Sequence, residues 1–102
     1  MNQAQMMAQV RKMQAEMAKA QEELASTVVT GSSGGGAVRV EMTCDFRVTS
    51  IQISPDAIDP QDAETLEDLV VVAVNDAVAR AQEASSKRMG SLTGGMRIPG
   101  LM

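Results

Sequence analysis

Ala37-Val38-Arg39-Val40-Glu41-Met42-Thr43-Cys44-Asp45 alternates apolar and polar side chains with a period of two. That is the mark of a strand with one buried face. Upstream, Gly31-Ser32-Ser33-Gly34-Gly35-Gly36 makes a flexible turn, and before it Thr27-Val28-Val29-Thr30 is β-branched throughout and reads as a short strand. Downstream, Arg47–Ser54 is a third strand. Ile51 and Ile53 share one of its faces while Val48 falls on the other, which predicts a bulge or a face change near Thr49–Ser50. Short connections favour antiparallel pairing of all three strands.

Helices flank the strands. Residues 2–26 are rich in Ala, Gln, Glu, Met and Lys, with no Gly or Pro. Met6, Val10, Met13, Met17, Ala20 and Leu24 step by heptad spacing along one side. This seam serves either the protein's own sheet or a partner helix, and methionine suits an adaptable contact. Asp59-Pro60 predicts the start of a second helix, followed by Asp62, Glu64, Glu67 and Asp68 where the dipole favours acids. Leu66, Leu69, Val70, Ala73, Val74, Ala77, Val78 and Ala81 form a wide core-facing stripe. The pattern runs to about Met89, with Gly90 as the stop, so residues 1–90 form one domain and 91–102 a mobile Gly- and Pro-containing tail. The order is α-β-β-β-α, an α+β fold with a three-stranded antiparallel sheet and two long helices.

At 102 residues, with Phe46 as the single aromatic, the core is thin. A domain so short of large side chains is expected to complete its core against a second copy. There is no histidine, so no His-based nucleophile pair or metal site exists, and the single Cys44 rules out an internal disulfide or a CxxC motif. Cys44 itself is most simply a small buried hydrophobe. The longest apolar run is Leu69–Val74, and Met1–Gln5 lacks the basic start of a secretory signal. The expectation is a cytoplasmic protein without cofactor or metal, away from membranes, that is not an enzyme.

The glycine run lacks the Gly-Lys-Ser/Thr end of a phosphate loop and joins two strands, so it reads as a hairpin linker. Asn75 and Asp76, inside the apolar helix, read as structural polar groups that find partners. Net charge is −4 but unevenly placed: residues 1–20 carry +2, residues 80–102 carry +3, and 21–79 carry −9. Basic ends suit phosphate contacts that carry little sequence information. The competing reading is that helix C-termini favour cations and helix N-termini anions, which accounts for the end of the second helix but not for the basic first one. No aromatic platform for bases and no helix-turn-helix, zinc-finger or basic-zipper pattern is present.

Several separated pieces, in order, resemble the YbaB/EbfC family of bacterial nucleoid-associated proteins. Lys12-Met13-Gln14-Ala15-Glu16-Met17 and Ala20-Gln21-Glu22-Glu23-Leu24 match its first helix, and Val29-Thr30-Gly31 with Gly34-Gly35-Gly36, Val38 and Val40 its most recognisable stretch. Leu66-Glu67-Asp68-Leu69 with Asn75-Asp76-Ala77 is similar to its second helix, and Thr93-Gly94-Gly95-Met96 to its tail. Where the family commonly has Asn-Gly between its second and third strands, this chain has Cys44-Asp45-Phe46.

The resemblance implies a two-fold homodimer whose helices project like tweezers. It also implies binding of double-stranded DNA in the nucleoid, with little sequence preference and sometimes a role in gene regulation. The basic positions within the matching helices are Arg11, Lys12, Lys19, Arg80, Lys87 and Arg88, the DNA-contacting set the resemblance implies. Met6, Val10, Met13, Met17 and Leu24 are the dimer or core seam. The rival reading is an adaptor for recombination or replication proteins, whose genes often neighbour those of the family.

Overall fold

A computed structural model describes residues 2–93. Its elements are α1 (Gln3–Ser26), β1 (Val28–Ser33), β2 (Val38–Thr43), β3 (Val48–Ile53) and α2 (Ala63–Thr93), the α-β-β-β-α order the sequence predicts. The strands form one antiparallel sheet in the order β1-β2-β3. The chain is elongated, about 70 × 28 × 16 Å.

The centre of the sheet is β2. Val38 and Val40 are fully buried and Met42 nearly so, packed on Ala73, Ala77 and Ala81 of α2. Three alanines in a row leave α2 almost no side-chain thickness, so helix and sheet approach closely. The approach is tightest at Gly31 of β1, where a Cβ would lie 2.3 Å from the Ala77 amide nitrogen and 2.5 Å from the Ala73 carbonyl oxygen. Gly31 is therefore a strand residue, and β1 runs three residues further than its β-branched stretch suggests. Only Gly34-Gly35-Gly36 turns the chain, each with positive φ. A second tie is polar: the Ser33 hydroxyl donates to the Leu69 carbonyl at 2.6 Å.

The bulge falls on Thr49. Glu41 faces Ser50 and Met42 faces Val48, leaving Thr49 without a partner across the ladder. The extra residue flips Val48 onto the same face as Ile51 and Ile53, which is what the broken alternation called for. The turn before β3 is held by Thr43, whose backbone N–H donates to the Arg47 carbonyl and whose hydroxyl donates to Asp45. Phe46 occupies the left-handed region there at φ 70, and its N–H donates to the Thr43 carbonyl. Cys44 is buried beside the end of α1, its N–H donating to the carbonyls of Leu24 and Thr27. Burial pushes its thiol pKa up.

Both ends of α2 differ from the sequence expectation. Asp59-Pro60 forms a turn instead of the helix start: the Asp59 carboxylate accepts from the Gln61 N–H and its carbonyl from the Asp62 N–H. The cap is Asp62, whose carboxylate accepts from the Thr65 N–H and hydroxyl. Two competent aspartates stand three residues apart, and the turn consumes the first. At the other end the helix passes through Gly90 to Thr93. Flanking helix formers carry it across the roughly 1 kcal/mol that glycine costs, and the Ser91 hydroxyl fastens back on the Arg88 carbonyl. The remainder of the expected tail, 94–102, lies outside the described residues.

At α1 the boundaries agree closely, with the Asn2 side chain capping the Gln5 N–H at 2.8 Å. The heptad seam divides into two parts. Ala20 and Leu24 are buried within the protein's own fold, and Met13 is half-buried, whereas Met6, Val10 and Met17 are exposed. α2 runs antiparallel to α1 and reaches its lower turns, where Leu24 lies among Ala84, Lys87 and Arg88. Above that point α1 extends as an arm.

Candidate nucleic-acid interface

Two of the six predicted cations, Arg80 and Lys87, project from α2 and are bound within it. The Arg80 guanidinium meets Asp76 at 3.2 Å, and the Lys87 ammonium meets Glu83 at 3.4 Å, both one helical turn away. The third α2 cation, Arg88, crosses to α1 and donates to Glu23 at 2.8 Å. That contact ties the last turns of α2 to the last turns of α1. The hydrogen bond from Arg88, helped by the charges of Arg88 and Lys19, holds the Glu23 carboxyl below its ordinary pKa. A shallow groove lined by Glu23, Leu24, Thr27, Ala84, Lys87, Arg88 and Ser91 marks the junction.

The other three, Arg11, Lys12 and Lys19, stand exposed on α1, and among the described residues none has a carboxylate within ion-pair distance. At 100° per residue they fall on the side of the helix opposite Met6, Val10, Met13 and Met17. α1 thus presents an apolar stripe on one side and a bare cationic ridge on the other. Toward the sheet that side of α1 carries Glu22 and Glu23, and Arg88 reaches Glu23 from α2. Lys87 lies beside Arg88, and Arg80 about 10 Å further along α2 by helical rise. Arg39 and Arg47 are also exposed and without an ion pair among the described residues. In the sequence both fall within the acidic middle.

Asp76 has a structural task. β1 is an edge strand, and the Ser32 N–H that points away from β2 donates to the Asp76 carboxylate at 3.0 Å. That hydrogen bond, followed by Arg80, holds the Asp76 pKa below the usual carboxylate range. Its contribution to stability is therefore present at neutral pH and lost as the pH falls below about 4, through the depressed folded-state value. Asp76→Asn is expected to lower stability at pH 7 and to flatten the acid limb of the stability profile. Urea unfolding between pH 2.5 and 7 checks this; parallel profiles for the two proteins would show that Asp76 does not carry the acid dependence. Asn75, expected to share this structural role, is exposed. Among the described residues no cluster of His, Cys, Asp and Glu with metal-binding geometry occurs, and no helix is long and apolar enough to cross a membrane.

A small α+β unit with an outstretched helix, a run of cations along its exposed side and a second helix bracing its base has the equipment of a polyanion-binding scaffold. Comparison with known proteins narrows the class. The model of the YbaB/EbfC DNA-binding family matches residues 1–96, and the chain belongs to that family. It is 50% identical over 97 residues to a nucleoid-associated protein of Chloroflexus aurantiacus, covering 95% of this chain and 97% of the relative. It is 47% identical over 100 residues to a nucleoid-associated protein of Pelotomaculum thermopropionicum, covering 98% and 95%. A crystal structure of an uncharacterized protein from Helicobacter pylori shares the fold, with a TM-score of 0.71 at 24% identity, covering 94% of this chain and 97% of that one.

Proposed function

We propose that this protein is a dimeric nucleoid-associated protein of the cytoplasm that binds double-stranded DNA through phosphate contacts, with little sequence preference. The observation that carries the reading is the ridge of Arg11, Lys12 and Lys19, exposed and free of ion pairs among the described residues. Unpaired cations release counterions from DNA without first giving up a protein partner. Contacts of this kind fix position on the duplex and leave the sequence unread. Arg80, Lys87 and Arg88 add cations on α2, but each must leave or share a carboxylate to reach a phosphate.

A second copy covers the apolar strip that the fold leaves bare. α2 packs on β1 and β2, and the core-side face of β3 is left partly open, with Val48 42% and Ile51 45% exposed. The bulge places both on that face, and Val71 on α2 is 57% exposed. In a chain with so few large side chains, a strip of this kind serves to complete the core.

The test is a salt-series titration against two unrelated duplexes with solution mass measured alongside. A dimer that binds both alike, with affinity falling steeply as salt rises, is the expected result. A clean dimer that binds neither at low salt would overturn the DNA reading in favour of the adaptor. A monomer that binds would overturn only the assembly.

A further inference from the structure

We propose that the upper part of the α1 seam, from Met6 to Met17, is a helix-pairing surface for the same segment of another copy. This contact is additional to the one on β3 and links one assembled unit to the next. The lower part of the seam already receives a helix: Ala20 and Leu24 are covered within the fold, with α2 against Leu24. The same stripe continues past the described end of α2 with the same heptad spacing, leaving Met6 at 55%, Val10 at 50% and Met17 at 39% exposure. Met7, on its flank, is 49% exposed. Heptad spacing is what a second helix requires, and methionines adapt to a partner without demanding one exact fit.

Charge makes a second copy an acceptable occupant. In an antiparallel pairing centred between Arg11 and Lys12, Met6 meets Met17 of the other helix and Val10 meets Met13. The flanks then set Gln9 beside Glu16 and Met7 beside Gln14, so no two like charges are juxtaposed. Arg11, Lys12 and Lys19 all lie on the far side, where pairing does not cover them. The apolar area involved is well below the roughly 800 Å² per partner of a stable interface. Free in solution the contact is weak. Between units held along one polymer, the high effective concentration strengthens it.

The experiment is sedimentation across a wide concentration range, comparing the full-length protein with the variant Val10→Gln plus Met13→Gln. Both positions lie on the arm, and glutamine keeps good helix propensity, so thermal unfolding should be unchanged and serves as the folding control. The parent protein is expected to rise from its dilute species toward twice that mass, with the variant's association constant lowered at least about tenfold. Flat curves for both, or equal rises, would overturn the proposal, the latter by placing association elsewhere. A variant that falls below the parent's dilute mass would overturn it too, because the seam would then be the primary contact. None of these readings depends on whether the protein binds DNA.

Discussion

Gly31→Ala is expected to destabilise the protein by about 3 kcal/mol or more, at the upper end of what overpacking costs. For a domain of this size that lowers the unfolding midpoint by roughly 12 °C or more. The reason is not backbone conformation, since Gly31 is not among the positive-φ residues. It is space. A methyl group there runs into the backbone of α2, at the Ala77 nitrogen and the Ala73 carbonyl oxygen, and neither can swing aside as a side chain can. α2 has to lift from β1, opening the core between Val38, Val40 and the alanine row and loosening the Ser32–Asp76 and Ser33–Leu69 hydrogen bonds. Gly35→Ala separates the two effects: at φ +68 with nothing within 4 Å, it costs only the conformational penalty, about 1 kcal/mol. Thermal unfolding by circular dichroism measures both. A Gly31→Ala midpoint within about 2 °C of the parent would mean the helix is not seated as closely as described.

Replacing Arg11, Lys12 and Lys19 together with glutamine is expected to weaken binding to any duplex by at least about a hundredfold at low salt. It should also flatten the log–log salt dependence by about 0.9 for each phosphate contact removed, up to about 5 in a two-fold dimer. The matching triple on α2, at Arg80, Lys87 and Arg88, should cost markedly less. Each of those cations is held by a carboxylate, so its charge is already partly balanced in the free protein. The two triples titrated side by side against the same pair of duplexes decide the matter. Equal losses would show that ion pairing does not discount those residues. A loss confined to one duplex would replace phosphate contact with base readout.

The order of elements was legible because each leaves a local signature: alternation in Ala37–Asp45, the 3.6-residue stripe of α2, helix formers in α1. The irregularity in β3 was legible too, since Val48 stands out of phase with Ile51 and Ile53; contact with β2 decides for a bulge over a face change. Features set by contact between distant segments were not. Nothing near Gly31 announces that α2 comes within van der Waals range of it, so the glycine run read as turn throughout. Asp59 and Asp62 are locally equivalent caps, and the turn decides between them.

Among the candidate contact residues, the pairing of Arg80 with Asp76 and of Lys87 with Glu83 is visible as acid-then-base spacing of four. The Glu23–Arg88 contact joins residues 65 apart and is not. Sequence alone therefore ranks six cations equally, where the structure separates three without an ion pair among the described residues from three bound.

The length of the chain gives its charge a direction. From residue 54 to 79, the turn before α2 and its first half hold Asp56, Asp59, Asp62, Glu64, Glu67, Asp68 and Asp76 with no cation. These carboxylates lie mainly toward the end away from the α1 arm, because β1 runs from the Ala84 region of α2 back to Leu69. Glu64 and Arg88 are separated by about 36 Å of helical rise, and Arg11 and Lys12 lie further out still. Such a molecule is a macroscopic dipole as well as a net anion. In the field of a polyanionic rod it experiences a torque that turns the arm inward and the carboxylate end away before contact. A protein of net charge −4 can in this way be repelled as a sphere yet captured as a vector. Added electrolyte then acts chiefly on the encounter, by erasing the heading with which the chain arrives.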